Sequence, residues 1–77
     1  MRRDWTGMQS SAHLVCMHAE AGQQLRAEGQ HHRAARQERY AAEAAMYAEI
    51  NARRAYGLPV EKQIHRLCDL HATAVTP

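Results

Sequence analysis

Residues 31–56 read as one uninterrupted helix with two unlike faces, and this constrains the fold more than any other feature of the chain. At about 100° per residue, Ala34, Ala41, Ala45, Ala48, Ala52 and Ala55 stack into an alanine stripe, while Arg33, Arg36, Tyr40, Tyr47 and Arg54 gather on the far side. A stripe of small side chains lets a neighbouring helix approach closely. A Tyr/Arg stripe is what a helix presents to a partner, because both residue types supply large contact area or forked hydrogen-bond donors. Such a helix needs helical neighbours, and no alternating strand pattern competes with it.

The flanking segments supply those neighbours. Thr6-Gly7-Met8-Gln9 fits a capping box and predicts a first helix over 6–28. Its core face is drawn by Leu14, His18, Ala21 and Leu25 and widened by Val15, Ala19 and Gly22. Gly29 is a natural left-handed stop. The alternative is a helix that continues through Gly29, at a cost of about 1 kcal/mol, giving one very long helix that must dimerise. The boundary at Gly57-Leu58-Pro59 is the best marked, with glycine for the left-handed residue and proline to begin the next helix. The third helix, 59–72, puts Val60, Ile64, Leu67 and His71 on one face, with Cys68 and Leu70 at its edges. The expected fold is all-α: a small antiparallel three-helix arrangement with long first and second helices and a short third, dimeric, forming one domain over 1–77 with frayed ends at 1–5 and 73–77.

Composition explains why a dimer is expected. Of 77 residues, 15 are Ala, none is Phe, and only ten are Leu, Ile or Val, so bulky apolar material is scarce. A core this small seldom yields more than about 3–5 kcal/mol net, and such chains usually add a disulfide, a metal or an oligomeric interface. Two cysteines, Cys16 and Cys68, define no disulfide framework, and both are expected to be free, buried, small apolar residues in a reducing compartment. The formal charge is +2, with the signs interspersed, which is too balanced to imply nucleic acid by itself. Nine of ten basic residues are Arg, the exception being Lys62; with the alanine excess this suggests a GC-rich bacterial or phage source. Met1-Arg2-Arg3 leads into no apolar segment and no run approaches membrane-spanning length, so the expected location is the cytoplasm, with no membrane partner.

Gly22-x-x-Leu25, Gly29, Ala34 and Ala41 resemble the spacing of small residues in a tetratricopeptide helical hairpin. The resemblance covers about 25 residues in a single copy, and the family's tryptophan, second-helix aromatic and closing proline fall on His18, Glu38 and Met46. It implies close packing of the first two helices and nothing about ligands.

Six histidines and two cysteines raise zinc as the sharpest chemical hypothesis, since zinc takes four N or S ligands and residues three or four apart share a helix face. The candidates are His13 with Cys16, and Cys68 with His65 or His71. In an up-down-up arrangement the first and third helices run parallel and place both pairs near one end. His13, however, lies away from the face marked by Leu14 and Leu25, and no Cys-x-x-Cys spacing is present. The leading expectation is therefore no cofactor. Enzyme function is not expected either: the chain lacks a phosphate loop and a paired-carboxylate motif, and has little material for a pocket.

The Tyr/Arg stripe carries most of the functional content, through Arg36, Tyr40, Glu43, Tyr47, Ile50 and Arg54. In a two-fold pairing of this helix with its copy, Glu43 would oppose an arginine and the tyrosines would stack across the axis. The plainer alternative is a solvated face with snorkelling tyrosines. Nucleic acid is a less favoured partner: Arg33, Arg36, Arg39, Arg53 and Arg54 are interrupted by Glu38, Glu43 and Glu49, and the third helix shows Glu61 and Asp69 among its outward residues. The expected function is a non-enzymatic protein-interaction module, a small regulator, adaptor or inhibitor in which phage-encoded inhibitors of the anti-CRISPR kind are included. A small DNA-associated regulator and a zinc-stapled module are the alternatives.

Overall fold

The computed structural model describes the backbone of residues 2–75 and the side chains of residues 10–72. It contains three helices, α1 (Arg2–Ala27), α2 (His31–Ala55) and α3 (Glu61–Val75), with no strand among the described residues. The backbone of α1 passes through Thr6–Gln9 as helix, so the chain does not enter α1 at Thr6; the Thr6 and Gln9 side chains lie outside the described residues, as do those of both ends expected to fray.

Two glycine stops separate the helices. Gly29, at φ 78°, ends α1: its N–H donates to the Arg26 carbonyl and that of Gln30 to the Leu25 carbonyl. Gly57, at φ 70°, repeats the arrangement, with its own N–H donating to Arg54 and that of Leu58 to Arg53. Both are the paired bonds of a Schellman motif, which satisfies carbonyls a helix end leaves open. The continuous-helix alternative is thereby removed. Pro59 stands outside α3, at whose start the Ile64 N–H donates to the carbonyl of the preceding Val60. The Pro59 carbonyl instead accepts from Arg53 Nε at 2.7 Å.

Helix α2 is the middle element. It contacts α1 extensively and α3 more slightly, while α1 and α3 nowhere meet among the described residues. Pairings between α1 and α2 run in opposite numerical order: Arg26 with His31, Gly22 with Ala34 and Gln37, His18 with Gln37 and Tyr40. Those between α2 and α3 do the same, with Arg53 on Pro59, Glu49 on Gln63 and Glu43 on His71.

The result is a slab measuring 43 × 24 × 11 Å, one helix layer thick. Only Ala34, Ala44, Ile50 and Ala55 form the buried apolar core among the described residues. The alanine stripe is thus largely inward, with Ala44 buried and Ala45 exposed in place of the expected order. On α1 the inner line runs through Ser11, Val15, His18, Gly22 and Leu25, at alternating steps of four and three, and Leu14 turns out to 43% exposure. Gly22 is the buried position on this line: a Cβ there would meet the Glu38 Cγ at 3.1 Å and lie 3.6 Å, an ordinary contact, from the Ala34 carbonyl oxygen. Toward α2 the inner residues are Val60, just before α3, and Gln63, Leu67 and Leu70 on it, whereas Ile64 and His71, expected inside, are exposed. Cys16 and Cys68 are free, as expected, but exposed instead of buried, because a single layer offers each outer helix only one neighbour to bury against.

Candidate interaction surface

Because α2 has a neighbour on each side, only the two broad faces of the slab are open. Tyr40 and Tyr47 lie on one of them at 37% and 44% exposure, with exposed Arg36 and Arg54 alongside. Glu43 is half-buried at the edge of this face toward α3, where its Oε1 lies 3.6 Å from His71 Nδ1 and 3.9 Å from Arg39 Nε. Ile50 differs from expectation. It is 5% exposed and belongs to the chain's own core, where it is the sole large side chain among the described residues. The reason is angular: at about 100° per residue it falls a few tens of degrees from Tyr47 toward the side that meets α3.

Tyr40 is held in place from α1. The His18 ring lies 5.4 Å from the Tyr40 ring at 54°, and His18 Nδ1 donates to Gln37 Oε1 at 2.7 Å. Arg39 also reaches over the Tyr40 ring, at 5.4 Å from its centroid, a cation–π contact. His18 is therefore a structural histidine that fixes an aromatic on the open face.

The opposite face is bound by an ion pair. Arg26 Nε and Nη2 donate to the two carboxylate oxygens of Glu38 at 2.5 and 2.6 Å, the bidentate geometry that gives such pairs their specificity. This hydrogen bond, chiefly, holds the Glu38 carboxyl below its ordinary range and raises the Arg26 guanidinium. Farther along, Ala42, Ala45, Met46 and Leu70 line a shallow apolar groove bordered by Arg66 and Asp69.

Of the five arginines that suggested nucleic acid, two are engaged elsewhere: Arg53 is half-buried on the Pro59 carbonyl, and Arg39 is half-buried beside Glu43. The zinc candidates are not brought together. His13 and Cys16 sit on α1 and His65, Cys68 and His71 on α3, two helices that do not meet, and no group of three potential ligands forms among the described residues. The expected approach of the two pairs required α1 and α3 to be neighbours.

Residue periodicity alone left out Met17, which is 51% exposed, and Tyr56 and Leu58 in the second turn, at 69% and 48%. Met17 stands three residues from Leu14, a spacing that places both on one side of α1. Comparison with protein families, with curated proteins and with solved structures found no match. No helix among the described residues is long and apolar enough to cross a membrane.

Proposed function

We propose that this chain is a non-enzymatic helical interaction module, with its helices in an antiparallel up-down-up layer, that acts as a small regulator, adaptor or inhibitor by docking the Tyr/Arg face of α2 onto a protein. The observation that carries this reading is the exposure of Tyr40 and Tyr47 on a broad face that no other element covers among the described residues. Tyrosine and arginine are enriched at binding hot spots, where the ring fills a pocket and the guanidinium makes several bonds at once. Self-association fits the same face, since the exposed tyrosines can stack across a two-fold axis with Arg36 and Arg54 exposed beside them, while Glu43 is already engaged by Arg39 and His71 within the chain.

The test is the double variant Tyr40→Ala with Tyr47→Ala. Self-association, or binding to a captured protein partner, should weaken while helicity by circular dichroism stays close to wild type, since both side chains are exposed. Unchanged assembly in the double variant would refute the assignment.

A further inference from the structure

The open face is wider than the stripe on α2. On α1 the inner line through Val15, His18 and Gly22 has Leu14 and Met17 on one flank and Arg26 on the other, at about 100° per residue. On α2 the flanks carry Tyr40 and Tyr47 on one side and Glu38 on the other. The Arg26–Glu38 pair matches one flank of α1 to one flank of α2, so Leu14 and Met17 share the face of the tyrosines. On α3, Arg66 borders the groove containing Ala42 and Ala45, on the Glu38 side of α2. Ile64 lies on the other flank of α3, again with the tyrosines. Five of the seven exposed large apolar or aromatic side chains among the described residues, Leu14, Met17, Tyr40, Tyr47 and Ile64, therefore occupy one face.

The surface that the chain leaves uncovered argues for a second copy as its occupant. The chain exposes 5665 Å², whereas a compact monomer of 8.7 kDa exposes about 4,700 Å². The excess of roughly 900 Å², contributed by both broad faces and the ends of the layer, is of the order of the roughly 800 Å² that each partner contributes to a standard interface. The radius of gyration, 13.7 Å, likewise exceeds the roughly 11.5 Å of a compact chain of this length. A domain ordinarily packs two layers around one core; this chain supplies one layer and half a core.

Resting on the interaction reading above, we propose that the occupant is a second copy of this chain, stacked layer on layer, so that Leu14, Met17, Tyr40, Tyr47 and Ile64 from both copies form the core that one copy lacks. The partner thus reaches α1 and α3 as well as α2.

Sedimentation velocity over a hundredfold range of concentration tests this on the full chain, using Leu14→Glu with Met17→Glu, the separate variant Ile64→Glu, and Ala45→Glu on the opposite face. Wild type and Ala45→Glu should be dimers, while the Leu14/Met17 variant raises the dissociation constant by about a hundredfold or more and Ile64→Glu acts in the same direction. All three altered side chains on this face are exposed, so circular dichroism should show helical monomers. Dimers that persist in both the Leu14/Met17 and Ile64 variants but dissociate with Tyr40→Ala and Tyr47→Ala would overturn the layer-on-layer arrangement and leave the α2 stripe as the interface. A wild type that is monomeric throughout would overturn the second copy as occupant; a foreign protein that still bound in a Tyr40- and Tyr47-dependent way would show that the interaction reading had survived separately.

Discussion

Among the described residues Ile50 is the sole bulky side chain in a core otherwise made of Ala34, Ala44 and Ala55, and its truncation gives the most quantitative check on the fold. Burying an isoleucine is worth about 1.5–3 kcal/mol, and Ile→Ala in a packed site costs about 2–5 kcal/mol once the cavity is included. Against a total of about 3–5 kcal/mol for a core of this size, Ile50→Ala should leave a chain close to the midpoint of unfolding at room temperature. Ile50→Val removes one methylene and should cost about 0.5–1.5 kcal/mol, lowering the melting temperature by roughly 4–8 °C per kcal/mol. The assay is thermal and urea unfolding followed by circular dichroism, in a Tyr40→Ala and Tyr47→Ala background so that self-association does not contribute. A loss below about 1 kcal/mol for Ile50→Ala would refute the placement of Ile50 in the chain's own core and return it to an outer face.

Two further substitutions probe the α1–α2 contact. A Cβ at Gly22 would meet the Cγ of Glu38 at 3.1 Å and the Gln37 Cβ at 3.8 Å; because the tight neighbour is the middle of a flexible, exposed side chain, Gly22→Ala should stabilise by about 0.5–1 kcal/mol through helix propensity. A fall in melting temperature would mean that Arg26 pins Glu38 too firmly to yield. The second concerns pH: the folded-state pKa of Glu38 is depressed, chiefly by its hydrogen bond from Arg26, so its contribution is present above the unfolded value of about 4.3 and is lost as pH falls through the folded value. Glu38→Gln should therefore narrow its stability deficit toward zero on acidification and on adding salt, as fits an exposed pair; a deficit independent of pH would argue against the ion pair.

Much of this fold was legible in the chain because helix ends are local. Gly29 and Gly57 both adopt the left-handed conformation that glycine stops predict, and the small residues Gly22 and Ala34 make the close approach that their spacing implies. The side-chain faces were harder to read. Placing the inner line of α1 through its bulkiest residues put Leu14 inside, yet among the described residues of α1 the buried position is the smallest, Gly22. Three amphipathic patterns also leave open whether helices close into a bundle or lie in a row. In a row α1 and α3 are strangers, which is why Cys16 and Cys68 emerge exposed and the histidine–cysteine pairs stay apart. The α2 stripe was visible in sequence because Tyr40 and Tyr47 recur at helical spacing; Met17 and Ile64 were not, since their exposure depends on which flank of each outer helix remains uncovered.

The most direct test of the account is native mass spectrometry of the untagged full chain, prepared without chelator, because mass reports subunit number and bound metal together. The account predicts a metal-free dimer that Leu14→Glu with Met17→Glu converts to monomer. A zinc-loaded monomer would contradict it, moving the centre of the molecule from the face around Tyr40 and Tyr47 to the cysteines and histidines.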